Sequence, residues 1–405
     1  MTTGAEALGV DAIYADDVVY GAGEAELRLK PAFDPLLLES TDYIGGAALF
    51  RADALDETDR AALAAGRSPA SIIRRRPDLR IAHLPYPAFL SPRSEGALIP
   101  QVRNKCASVS VVIPNRDNFA LIRVAVEGLL EKTSAQVAEI VIVDNGSTAP
   151  EVLAYYDQLR ENARIRIDID PQPFNFAAMV NRGAALANGE AILLLNNDIE
   201  VVQAAWLDRM IETLGAPGVG VVGAKLLFPD RTIQHAGVLV GHGGVAGHDM
   251  KGMARDTIDP LGRMAAPHLR SAVTAAAMLI RRSTWDDLGG FDEEAFAVAF
   301  NDVDFCLRAG ARGWRVALDP RAVLIHHESV SRKRGVSLRR TLQHQRERRA
   351  LRRRHGTVGY DDPFESPWRD LDILRPNFRM LQTPPPARLS PAISEAAVRR
   401  ARSQS

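Results

Sequence analysis

The amino-acid sequence predicts an α/β fold, a mostly parallel sheet flanked by helices, and three observations carry that expectation. The aliphatic run Leu193-Leu194-Leu195 breaks abruptly into Asn196-Asn197-Asp198, the pattern of a buried parallel strand that delivers polar residues at its carboxyl end. Two earlier runs, Val109-Ser110-Val111-Val112-Ile113 and Glu139-Ile140-Val141-Ile142-Val143, enclose a stretch whose Ile122, Val126, Leu129 and Leu130 share one helical face. That is the rhythm of a βαβ unit with a right-handed crossover. A second helical stretch, with Val180, Gly183, Ala184 and Ala187 along one face, stops at Asn188-Gly189 just before the 191–195 run.

Taken in order, residues 1–100 hold short apolar runs and no phosphate loop. GAALFRAD at 46–53 echoes AAMLIRRS at 276–283, and LRIAHLP at 79–85 echoes WRVALDP at 314–320, in the same order and at nearly the same separation. This reads as an internal repeat, with chance similarity between short apolar strands as the alternative. The first copy then lacks the strands that would bind a nucleotide. Asp16-Asp17 is expected in a surface turn, the other reading being the remnant of an acidic site. The turn-rich stretch 91–100 is expected to be a linker. The chain thus divides into segments 1–100, 101–335 and 336–405.

In open α/β sheets ligands bind beyond the carboxyl ends of the strands. Pro114, Asn115 and Arg116 occupy one such end. Asp144 occupies the next, where a carboxylate can accept hydrogen bonds from a base imide or a ribose hydroxyl; Asn145-Gly146 is equally an ordinary turn signal. Asn181 and Arg182 can face a diphosphate, exposed helix positions being the alternative. Asp198, at the third end, is placed to hold a hard divalent cation that clamps a diphosphate, although Asn and Asp are also common turn residues. No GxxxxGK loop followed by Ser or Thr is present, which argues against a P-loop NTPase. Gly241-x-Gly243-x-x-Ala246 fails as a dinucleotide fingerprint because no clear helix succeeds it.

Further on, residues 219–227 and 274–280 read as strands, and the segment 233–247, with its glycines, as the irregular border of a cleft. Phe300-Asn301-Asp302-Val303-Asp304 leads a short helix ending near Gly310. Partly desolvated there, Asp302 or Asp304 can have its pKa raised enough to serve as a general base; a helix-capping aspartate is the competing reading. Val323-Leu324-Ile325 runs into His326-His327. A histidine after a strand can supply a nitrogen ligand to Mn2+ or a similar ion, a surface His pair being the alternative.

The ordered series VSVVIPNRDN, EIVIVDNGS, FNFAAMVNRGAALANGEAILLLNNDIEV, GAKLLFPDRTIQHAG, GGFDEEAFAVAFNDVDFCLR and HHESVSR resembles the inverting GT-A glycosyltransferases of family 2, particularly bacterial rhamnosyltransferase-like enzymes of cell-surface polysaccharide assembly. The resemblance covers residues 105–335. It implies a GT-A, Rossmann-like sheet and a nucleoside-diphosphate sugar donor, dTDP- or UDP-sugars being favoured. It also implies a glycan or lipid-linked acceptor hydroxyl and a divalent metal, Mn2+ or Mg2+. By position, Pro114, Asn115, Arg116, Asp144 and Asn181 then look like nucleotide-sugar contacts. Asn196-Asn197-Asp198 matches the DXD element, with Asn for its first acid and Asp198 as metal ligand. Asp302 matches the catalytic base, with Asn301 in place of the usual preceding Glu. His326 matches the metal-ligating His, while His235, Asp304 and His327 border the cleft. Residues 1–100 resemble a truncated copy from a tandem glycosyltransferase, without catalysis of their own.

The formal net charge of zero over 405 residues hides a local asymmetry. From Arg332 to Arg354 the chain is crowded with arginines, and Glu347 is the one acid. The stretch 336–355 is expected to be helical, with Leu338 and Leu342 on one side. It suits peripheral docking on anionic lipid headgroups, a solvated helix or pairing with the domain's own acids being the alternatives. Without interleaved aromatics, nucleic acid is not an expected partner. Beyond it, 361–386 is Pro-rich and expected to drape on the surface, and the last residues to be disordered. The acidic N-terminus, the absence of a long apolar run and the two isolated cysteines, Cys106 and Cys306, predict a cytoplasmic protein with free thiols. The expected function is sugar transfer. A non-catalytic glycosyltransferase-like nucleotide-binding subunit is the rival reading, and a nucleotidyltransferase a third, disfavoured because no glycine-rich basic loop follows the first strand.

Overall fold

The computed structural model describes residues 8–21, 24–92, 108–133, 137–327, 338–369 and 385–389, in two compact units. Cys106, the stretch 93–100, residues 328–337 and the last sixteen residues, all subjects of expectations above, lie outside the described residues.

The first unit comprises 1–101, 258–269 and 361–392. Its central strand β1 (Ala12–Gly21) runs antiparallel to β2 (Glu24–Arg28) and β3 (Ala48–Phe50) and parallel to β4 (Ile81–Pro92). Helices Pro35–Ser40, Glu57–Ala64 and Pro69–Arg75 begin on capping side chains of Asp34, Asp56 and Ser68, which satisfy otherwise orphaned amides. Tyr14, Leu37, Tyr43, Ile44, Ile72 and Leu261 form the core. Asp16 and Asp17 are not in a surface turn. Both are fully buried in β1, Asp17 against Arg28 and Lys30 and Asp16 2.9 Å from His83 Nε2. Charges enter an interior only when paired, and those partners lie too far along the chain for a local reading to supply them. Nor is 361–369 a surface drape. The Ala32 amide donates to Pro363 O at 2.8 Å and Arg263 bonds Glu365 at 3.0 Å. β17 (Arg388–Leu389) pairs with β4, and the short strand β14 (His268–Leu269) also falls in this unit.

The second unit comprises 102–257 and 270–360. Strands β5 (Val109–Asn115), β6 (Val137–Asp144), β7 (Ile165–Ile169) and β8 (Ala191–Leu195) are parallel, in the order β7-β6-β5-β8. β15 (Ala277–Arg281) continues the sheet antiparallel to β8 and to β10 (Val219–Leu227), which runs parallel to β16 (Arg315–His326). β9 (Ile199–Val201) pairs with β16 and β11 (Ile233–His235) with β10. The expected α/β class is what is found, as a large mixed sheet flanked by helices, parallel throughout its β7-β6-β5-β8 half. Helix Phe176–Leu186 lies close to β5 and β6 because Gly183 leaves room there; a Cβ would strike Val112 and Val143. Trp206, Leu207, Met210, Ile211 and Leu214 bury one face of helix Trp206–Leu214. Two details depart from expectation. The glycine-rich stretch is a hairpin of β12 (Val238–Val240) and β13 (Ala246–His248), turned through Gly241, Gly243 and Gly244, all at positive φ. The strand expected from Thr274 starts only at Ala277, because the Ala275 amide is taken by the Asp302 carboxylate.

The sequence echo extends to strand direction and register. Ala12 pairs with Phe50 and Ile81, and Tyr14 with Ala48 and His83. Val221 pairs with Ile280 and Val316, and Gly223 with Met278 and Leu318. These are the residues the two echoes align. Among the described residues, the first unit has no counterpart of the β5–β8 half.

Candidate active site

In-register pairing of β5 and β6 sets Asn115 beside Asp144. Asn197, just past β8, donates to Asn115 Oδ1 at 2.6 Å, so the three strand ends share one polar network. Asp144 is fully buried and accepts from the Ser147 amide and the Tyr156 hydroxyl, each at 2.6 Å, and from the Ser147 hydroxyl. Burial and the Asp144 carboxylate push the Tyr156 phenol up, which keeps it a donor. Asp144 is therefore the hub of the network. Pro114 is half-buried and Arg116 exposed. Asn181 stands apart: its amide donates to Phe291 O and Glu293 Oε1, and its oxygen accepts from the Phe291 amide. With every polar position engaged, it clamps the turn after Gly290 and has nothing left for a diphosphate. Arg182 is committed to Asp168 and Asp170.

β9 pairs antiparallel with the end of β16, setting Ile199 opposite His326 and hence Asp198 beside it. His326 Nε2 lies 3.0 Å from Asp198 Oδ1 and 3.4 Å from Asn196 Nδ2. His326 Nδ1 lies 2.7 Å from Gln234 Oε1, an acceptor, so the ring donates from Nδ1 and Gln234 fixes its orientation. Nε2 and the Asp198 oxygen are about as far apart as neighbouring ligands of an octahedron with bonds of about 2.1 Å. A carboxylate oxygen and an imidazole nitrogen so spaced fit one divalent ion, and among the described residues no third His, Cys, Asp or Glu joins them. Gln234 was not singled out from sequence, although it lies in the quoted TIQHAG stretch. Gln234→Leu frees the tautomer and orientation of His326 and is expected to weaken Mn2+ binding by about 10- to 100-fold, read by titration calorimetry. His327 faces elsewhere, 2.8 Å from Glu200 Oε2.

Asp302 follows Phe300, which adopts φ 61° to start helix Asn301–Ala311. It is half-buried and accepts from the Ala275 amide at 3.1 Å and the Val303 amide at 2.8 Å. The next residue, Ala276, accepts the Asn196 amide at 3.0 Å. Two residues of one segment thus tie Asp302 to the strand end that carries Asp198. Burial pushes the Asp302 carboxyl up against the pull of hydrogen bonds from Ala275, Val303 and Thr274.

Asp304 is the reverse case and does not border a cleft. It is fully buried, and although burial raises its pKa, His355, Arg308 and Arg354 overcome that and hold it low. Asp304→Asn leaves Arg308 and Arg354 without their buried counter-charge and is expected to lose about 3 kcal/mol of stability, measured by urea unfolding. His235 is also fully buried, its Nδ1 2.8 Å from His248 Nδ1. Burial and nearby His248, Arg270 and His326 lower its pKa far enough to keep it neutral, so it packs beneath the site. Lys225 was likewise missed. It sits buried on β10 beside Val323, three residues before His326, and no acid pairs with it among the described residues. Burial and Arg255 lower its pKa, and such an ammonium suits a phosphate oxygen.

Comparison with known proteins gives first a class. Residues 110–237 match the family model described as glycosyl transferase family 2, a stretch that holds the Asn115–Asp144–Asn197 network and Asp198 and ends before Asp302 and His326. Among individual proteins, the chain is 42% identical over 226 residues to the O-antigen biosynthesis protein RfbC of Myxococcus xanthus, covering 56% of this chain and 18% of that protein. It is 39% identical over 271 residues to the uncharacterized protein y4gI of Sinorhizobium fredii, covering 67% and 30%. The chain thus spans less than a third of either relative. Among solved structures it is similar to GalNAc-T7 with UDP, GalNAc and Mn2+, at a TM-score of 0.47 and 14% identity over 55% of this chain and 43% of that one. No described helix is long and apolar enough to cross a membrane.

Proposed function

We propose that the chain is an inverting, metal-dependent glycosyltransferase that moves a sugar from a nucleoside diphosphate, dTDP- or UDP-linked, to a hydroxyl of a glycan or lipid-linked acceptor in cell-surface polysaccharide assembly. The family 2 match and the name of the Myxococcus relative support the reaction class and the setting. The observation that carries the mechanism is the segment 275–276, which ties the half-buried Asp302 to the strand end where Asp198 and His326 face each other.

Asp302 takes the proton of the acceptor hydroxyl, whose oxygen attacks the anomeric carbon opposite the departing nucleoside diphosphate. One base and one displacement invert the anomeric centre, and the diphosphate leaves without needing a proton. Asp198 and His326 would hold Mn2+ or Mg2+, which supplies positive charge against the diphosphate. Asn115, Asn197 and the network around Asp144 shape the nucleotide end, and Pro114 and Arg116 flank its mouth. The rival reading, a nucleotide-binding subunit without turnover, draws on Asn196 and Asn301 standing where the family pattern has acids.

Incubation of the full chain with UDP-, dTDP- and GDP-sugars, with Mn2+ or with EDTA, separates the two. Metal-dependent release of the nucleoside diphosphate, with inverted product where an acceptor is used, is the expected result. Tight nucleotide binding without release across the whole donor panel overturns the enzyme reading.

A further inference from the structure

Helix Leu338–His355 has two faces with opposite tasks. Its inner face is bolted to the acceptor side of the candidate site. Glu347, buried, accepts the amides of Val298 and Ala299 at 3.1 and 2.8 Å, just before Phe300 and Asp302. Arg354 and His355 bond Asp304 at 2.9 and 2.8 Å, and Arg352 donates to Gly244 O of the glycine hairpin at 2.9 Å.

The outer face carries Arg339, Arg346, Arg349 and Arg353 with Leu338 and Leu342, all exposed. At about 100° per residue these six side chains fall within roughly 100° of arc, opposite Glu347 and Leu351. No acid pairs with these four arginines among the described residues. Four like charges on one stripe repel one another, so local pairing does not explain them. Two leucines at the stripe's amino end add apolar area, as in helices lying in a headgroup layer. No exposed aromatic side chain lies on this face to stack on bases.

We propose that this outer face docks on an anionic lipid surface and so presents the Asp302 side of the cleft to acceptors held in that surface. The consequence for acceptors rests on the glycosyltransferase reading; the docking does not. Each arginine near an anionic surface contributes about 1 kcal/mol, so removing three lowers affinity by about a hundredfold.

The test is co-sedimentation of the full chain, without nucleotide, with vesicles of phosphatidylcholine and phosphatidylglycerol mixed three to one, against pure phosphatidylcholine. The wild type is expected to bind only the anionic vesicles, less so as salt is raised. The variant Arg346→Gln/Arg349→Gln/Arg353→Gln is expected to lose about a hundredfold while keeping its melting temperature and its release of nucleoside diphosphate from the donor. Unchanged vesicle binding in that variant overturns the proposal. So does wild-type binding to double-stranded DNA that is tighter than to the vesicles and lost in the variant. Donor turnover without vesicle binding sinks the docking alone; vesicle binding without donor turnover sinks the enzyme reading alone.

Discussion

Asp302→Asn is expected to lower turnover by about 10²- to 10⁴-fold while donor binding stays as it is. The variant keeps the shape but has one acceptor oxygen for the Ala275 and Val303 amides, which donate to different oxygens of Asp302, and it cannot accept a proton from the acceptor. The pH dependence checks the assignment. Burial raises the Asp302 carboxyl above its ordinary value, and the active form is the carboxylate. Activity should therefore climb through that raised pKa as pH increases, and this limb should be missing in the variant. Stability runs the other way. A carboxyl whose folded pKa lies above its unfolded one contributes stability below the unfolded value and loses it as pH rises through the folded pKa. Once ionised, the buried Asp302 carboxylate weighs against the fold; Asp302→Asn removes that cost and loses one of the two acceptor oxygens. Asp304, two residues on, should behave in the opposite sense, losing stability because hydrogen bonds from His355, Arg308 and Arg354 and the Arg308 charge hold its carboxyl low. Full turnover in Asp302→Asn, across a pH series, would remove it as the base.

Asp198→Ala is expected to abolish Mn2+ dependence and to lower turnover on the order of 10³-fold or more, because several kcal/mol of charge stabilisation at the leaving diphosphate go with the ion. The binding readout is independent of activity. Metal at a hundred times its dissociation constant stabilises a one-site protein by about 2.7 kcal/mol, and this shift should disappear in Asp198→Ala and in His326→Ala. His327→Ala should keep the metal shift, as His327 pairs with Glu200. A normal Mn2+ shift in Asp198→Ala would dissolve the metal assignment.

The parallel half of the sheet was legible from sequence because its strands are near-continuous aliphatic runs and its helices keep a 3.6-residue period, both local patterns. Asn115, Asp144 and Asp198 could be placed at strand ends for the same reason. The internal echo was legible too, since strands with the same neighbours need similar side chains. What sequence could not decide was which polar groups spend their hydrogen bonds on the protein itself. Asn181 is consumed by Phe291 and Glu293, Asp304 by Arg308, Arg354 and His355, and His235 by burial against His248. Apart from Arg308, one helical turn beyond Asp304, those partners are distant along the chain or set by how a loop returns.

By itself, then, the order of residues determined that this is an α/β protein with polar strand ends, and which side chains were candidates. Only the tertiary structure decided that Asp198 and His326 meet, that Gln234 orients His326, and that Asp302 and not Asp304 is the carboxylate with a raised pKa. The physical reason is range. Hydrophobic periodicity is written in neighbours a few positions apart, whereas the state of a titratable group depends on every charge and donor the fold gathers around it.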